Sequence, residues 1–129
     1  MIKSLDSWVL LSVLMCGRKS GTLRDLLATG DYANHAVFPY ERLRDGLYGL
    51  ERAGLIVCKE GRYRASPRAT RFWREAQSRE RRLLKAWGLL DQWLGKQNML
   101  PVAANVRRIT KKMYDEAVKD YLDNFYAGE

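Results

Sequence analysis

Cysteine, proline and histidine are scarce in this chain: two, three and one, respectively, among 129 residues. Two cysteines, Cys16 and Cys58, are too few for a disulfide framework, and neither forms a CxxC pair or neighbours a histidine as a zinc site requires. They read as reduced core thiols of a cytoplasmic protein. His35 has no serine, cysteine or carboxylate at a catalytic spacing, so it reads as a loop residue or helix cap. No enzymatic activity, metal or cofactor is expected. With so little proline and 10 glycines, collagen-like and low-complexity chains are excluded. Long apolar runs are also missing. The longest, Trp8 to Cys16, is about half of the roughly 20 residues that cross a bilayer. It does not read as a secretory signal either, because Asp6 precedes it, no small-x-small site follows, and Met15 stands before Cys16. It reads instead as a buried first helix.

What is present is a foldable composition, 47% hydrophobic and 11% aromatic, at a length suited to one domain. The net charge of +8 is unevenly spread. Residues 1–60 carry 8 basic and 7 acidic side chains, residues 61–112 carry 14 and 3, and residues 113–129 carry 1 and 5. The local balances are +1, +11 and −4. A block of +11 attracts a polyanion and speeds its encounter, although charge alone does not separate a binding surface from a solvated face.

Periodicity divides the chain into five helices and a hairpin. Ser4 or Asp6 caps a helix ending near Cys16 and Gly17. After the turn Arg18-Lys19-Ser20-Gly21, Thr22 caps a second helix that carries Leu23, Leu26 and Leu27 up to Gly30. The Lys-Ser pair in that turn lacks the GxxxxGK[ST] spacing and the preceding strand of a phosphate loop. The stretch Asp31 to Phe38 is irregular. Pro39 then opens a third helix with Leu43, Leu47 and Leu50 inward and Gly54 beyond its end. Leu55 to Cys58, a turn with Gly61, and Arg62 to Ala65 form the hairpin. Ser66-Pro67 starts one long helix whose apolar stripe Phe72, Ala76, Leu83, Trp87, Leu90 and Leu94, interrupted at Arg79, exceeds what a small core covers, so a partner surface is expected there. Residues 98–109 read as a connection, and Thr110 caps a last helix through Met113, Ala117, Tyr121, Leu122 and Phe125.

The segment from Arg42 to Ala65, with Leu47, Leu50, Gly54, Leu55 and Ile56 followed by Gly61, Arg62 and Arg64, resembles the recognition helix and wing of winged helix-turn-helix proteins of the MarR and PadR types. The resemblance covers roughly residues 5–77. It implies a mostly α, α+β fold: a winged-helix domain over 1–77 and a helical extension over 78–129. The two additional C-terminal helices of that extension would pack on the same core and serve homodimerisation. It also implies a sequence-specific regulator that binds double-stranded DNA in a bacterial or archaeal cytoplasm. The third helix (about 39–53) would enter the major groove with Tyr40, Glu41, Arg42, Arg44, Asp45, Tyr48 and Arg52. The wing (about 55–65) would set Lys59, Arg62 and Arg64 on the backbone. The alternative is a winged-helix adaptor that binds protein through the same face.

Two clusters have competing readings. Trp73, Trp87 and Trp93 with Tyr114, Tyr121 and Tyr126 read as core and dimer packing ahead of an effector pocket, and no effector is assigned. Arg79, Arg81, Arg82 and Lys85 read as partners of Asp115, Glu116, Asp120 and Asp123 on the acidic last helix, in the same or a second subunit, ahead of phosphate contacts.

Overall fold

A computed structural model describes residues 5–17, 19–98, 100–103 and 105–127, with the side chains of Leu5 and of residues 125–127 left aside. The expected Ser4 cap, Arg18 in the first turn, and the Phe125 and Tyr126 side chains therefore lie outside what is described. Among the described residues the fold is mostly helical, with six helices and one small antiparallel sheet.

Helix α1 (Leu5–Met15) is apolar all round, and such a helix belongs in the middle of a core. It packs against α2 (Leu23–Asn34), α3 (Tyr40–Arg52) and α5 (Leu83–Gly95). Val9, Leu10, Leu11 and Val13 are completely or almost completely buried. The polar groups carried inward have partners: Trp8 Nε1 donates to Gly30 O at 3.0 Å, and Trp87 Nε1 donates to Ser7 Oγ at 3.1 Å. Close approach of α1 and α3 depends on Gly46, where a Cβ would lie 2.6 Å from Val9 Cγ2.

Helix α2 begins as expected, with Thr22 and Asp25 forming a reciprocal capping box. It runs past Gly30 to Asn34, however, so half of the stretch that reads as irregular is helical. His35 is the left-handed C-cap, with φ 54°. The hairpin β1 (Ile56–Lys59) and β2 (Arg62–Ala65) turns through Glu60 and Gly61, both with positive φ, in the manner of a two-residue type I′ loop. Tyr63 also exchanges two backbone hydrogen bonds with Gly21, at 2.9 and 2.7 Å, which ties the hairpin to the start of α2.

The expected long helix is two helices. Helix α4 (Pro67–Arg79), capped by Ser66, ends where Glu80 turns extended, and α5 starts at Leu83. No proline or glycine stands at the break. The Glu80 carboxylate instead accepts from the Arg82 backbone N–H at 3.2 Å and from its guanidinium at 3.0 Å. The reversal lets α5 pack on α4 and α1, burying Trp73, Ala76, Trp87, Leu90 and Leu94 together. A straight helix would carry the second half of that stripe away from the core, at roughly 1.5–3 kcal/mol for each large side chain left exposed. The surface expected to need an outside partner is thus largely covered by α1 of the same chain, with Leu84 left out at 61% exposure. The helical extension contains α5 and α6 (Lys111–Ala127) as well as the end of α4, so three helices follow the hairpin.

Helix α6 packs on α2. Tyr114 OH donates to Phe38 O at 2.5 Å, and Tyr121 OH donates to Asp31 at 2.6 Å. Its acids pair with Lys111 and Arg24, through Asp115 and Asp120 respectively, and Arg82 pairs with Glu80. The expected bridge from Arg79, Arg81, Arg82 and Lys85 to α6 is absent within the described residues of one chain, because the turn at Glu80 directs α5 to α1 while α6 lies on α2. Cys16 and Cys58 are half-buried instead of sealed in the core, and burial raises both thiol pKa values. No helix among the described residues is long and apolar enough to cross a membrane, and no group of three metal-ligating side chains occurs among them.

Candidate nucleic-acid interface

Strand alternation assigns the hairpin's side chains to two faces. Ile56, Tyr63 and Ala65 turn to the core with Cys58 beside them, while Val57, Lys59, Arg62 and Arg64 face outward. Lys59 and Arg62 are direct register partners, as are Val57 and Arg64. Two cations set opposite one another on one face of a hairpin destabilise it. Among the described residues no carboxylate lies within ion-pair distance of Lys59, Arg62 or Arg64. Arg62 is oriented by neutral groups: Nε donates to Ser20 Oγ at 3.0 Å, and its terminal nitrogen donates to Ser20 O. Its charge stays unneutralised.

This face borders an open groove of about 1570 Å³ that is lined also by α4 and by the end of α1 with the turn after it. Arg71 and Arg74 stand exposed on the α4 wall, whereas Ala69, Trp73 and Ala76 of the same helix are buried. Helical periodicity alone places Arg71 and Arg74 on the outer side of α4. Their position beside the hairpin is a tertiary fact. Glu60 and Glu75 also line the groove. Of the aromatics weighed as an effector site, Trp73 lines it, whereas Trp87, Tyr114 and Tyr121 are tied into helix packing by Ser7, Phe38 and Asp31. Trp93 stacks on Phe72 at 5.0 Å.

The outward residues of α3 are disposed differently. Arg44 is bound to its neighbour Asp45 at 2.8 and 3.3 Å, which raises the guanidinium pKa and holds the Asp45 carboxyl below its usual range. Tyr40 is half-buried, with its hydroxyl donating to Ile109 O at 3.1 Å and its ring 5.6 Å from Tyr114. Tyr48 lies beneath Arg108, 3.8 Å from the guanidinium carbon, with Arg52 at 5.3 Å. The Arg52 carbonyl accepts from the N–H groups of Val102 and Ala103 at 2.8 and 3.1 Å. Glu41 and Arg42 remain exposed. The connection between α5 and α6 therefore runs along one side of the outward face of α3, touching Arg52 through Val102 and Ala103, Tyr48 through Arg108 and Tyr40 through Ile109, while Asp45 stays exposed with Glu41 and Arg42.

Of the residues expected to contact DNA, the structure brings Lys59, Arg62 and Arg64 together on one face. It sets Tyr40, Glu41, Arg42, Arg44, Asp45, Tyr48 and Arg52 on a helix engaged by the α5–α6 connection. Arg71, Arg74 and Arg108 escaped sequence reasoning, because their relevance comes from contacts far apart in the chain. No family model, curated protein or solved structure matches this chain.

Proposed function

We propose that this chain binds double-stranded DNA as a cytoplasmic regulator of the winged-helix kind, with the β1–β2 hairpin as its wing on the phosphate backbone. The observation that carries the reading is the outward row of Lys59, Arg62 and Arg64. It includes a directly opposed cation pair that costs stability inside the fold and has no carboxylate to offset it. The helix-helix-helix-hairpin order and the bond pair between Gly21 and Tyr63 support the fold assignment. The test is a titration of a fluorescent duplex at several salt concentrations. Parent protein is expected to bind with a negative slope of log K against log salt. Replacing Arg62 and Arg64 with alanine is expected to flatten that slope by about 0.9 for each phosphate that is no longer neutralised.

A second reading, an adaptor for a protein partner, is favoured by the partly occupied outer face of α3. It predicts no salt-dependent duplex binding at low ionic strength.

A further inference from the structure

Resting on the DNA-binding reading, we infer that the duplex lies along the groove between the hairpin and α4, and that α3 is not a reading helix. Arg62, Arg64, Arg71 and Arg74 all line that groove, and no carboxylate among the described residues pairs with any of them. Glu60 and Glu75 leave the groove's charge positive when Lys59 is counted with the four arginines. Guanidinium groups gathered from two elements repel one another in the free protein. A phosphate backbone removes that repulsion and releases its own counterions.

The exclusion of α3 is steric. A helix with its side chains is about 10–12 Å across, and a B-form major groove about 12 Å wide admits one helix and little more. Part of the outward face of α3, the side of Tyr40, Tyr48 and Arg52, already carries the α5–α6 connection. Val102 and Ala103 are hydrogen-bonded to Arg52, Arg108 is stacked on Tyr48, and Tyr40 is hydrogen-bonded to Ile109. Ile109 is 4% exposed, so the connection is anchored in the core and not merely laid on the surface. The charge of α3 points the same way, since Asp45 engages Arg44 and Glu41 is exposed beside them.

The experiment uses the full chain, a mixed-sequence duplex of about 20 base pairs, and anisotropy at several salt concentrations, with thermal melting to confirm that each variant folds. The double variant Arg71→Gln, Arg74→Gln, changed at exposed positions, is expected to lower the salt slope by about 1.8 and to weaken all duplexes alike. Arg44→Ala is expected to keep affinity and base preference within twofold of parent. A changed base preference in Arg44→Ala, or a parental slope in the double variant, overturns the inference while leaving DNA binding intact. Sedimentation is run alongside. If the double variant dissociates an oligomer while duplex binding is unchanged, the groove holds the acidic segment of a second copy and the inference fails. A parent that binds no duplex removes the DNA-binding reading and this inference with it.

Discussion

Gly46 offers the sharpest test of how α3 is seated. An added methyl would lie 2.6 Å from Val9 Cγ2 and 3.2 Å from Val9 Cβ, about 1 Å inside ordinary carbon contact. Val9 has no exposed surface, and a valine in a helix has one strongly preferred χ1 rotamer, so its side chain cannot swing aside. Overpacking of this kind costs about 1–3 kcal/mol, and the depth of the overlap argues for the upper end. Alanine recovers about 1 kcal/mol of helix propensity over glycine. Gly46→Ala is therefore expected to lose about 2 kcal/mol net, lowering a urea midpoint by about 1 M at a slope near 2 kcal/mol/M. Three residues on, a methyl at Gly49 would meet nothing within 4 Å, so Gly49→Ala is expected to gain up to about 1 kcal/mol. Tryptophan fluorescence follows both, since Trp8, Trp73 and Trp87 are buried. Adding Val9→Ala to Gly46→Ala is expected to return part of the loss, a positive coupling in a double-mutant cycle. A Gly46→Ala protein as stable as Gly49→Ala would refute this packing of α1 on α3.

Two further expectations concern local chemistry. Glu60 adopts φ 54° in the hairpin loop, a conformation that asparagine tolerates far better, so Glu60→Asn is expected to raise stability by about 0.5–1 kcal/mol in the same urea assay. The hydrogen bond to Asp31, with partial burial, pushes Tyr121 up to about 12, above the ordinary tyrosine value near 10. Because the folded pKa is the higher one, this contribution is full below about pH 10 and is lost as pH rises through about 12. Tyr121→Phe is expected to cost about 1 kcal/mol at neutral pH and to remove that alkaline loss, as read from thermal melts across pH.

Much of the element order is legible in the residues themselves, for a local reason. The Thr22, Ser66 and Thr110 caps bond to N–H groups three residues away, and the Glu60-Gly61 turn closes over two residues. Alternation within four-residue strands likewise fixes Arg62 and Arg64 to one face. The helix break at Glu80 is marked only by the interruption of the apolar stripe at Arg79, since residues 80–82 contain neither proline nor glycine. It follows from the burial of Trp87, Leu90 and Leu94 against α1, a gain realised across some 80 residues of chain. The site divides in the same way. The cationic row on the hairpin follows from the pattern of residues, whereas its union with Arg71 and Arg74, and the contacts of α3 with Val102, Arg108 and Ile109, were decided by tertiary packing. Short-range periodicity says which way a side chain faces along its own element. It cannot say which distant segment will lie on it, because that depends on the total apolar area buried when all the elements close together.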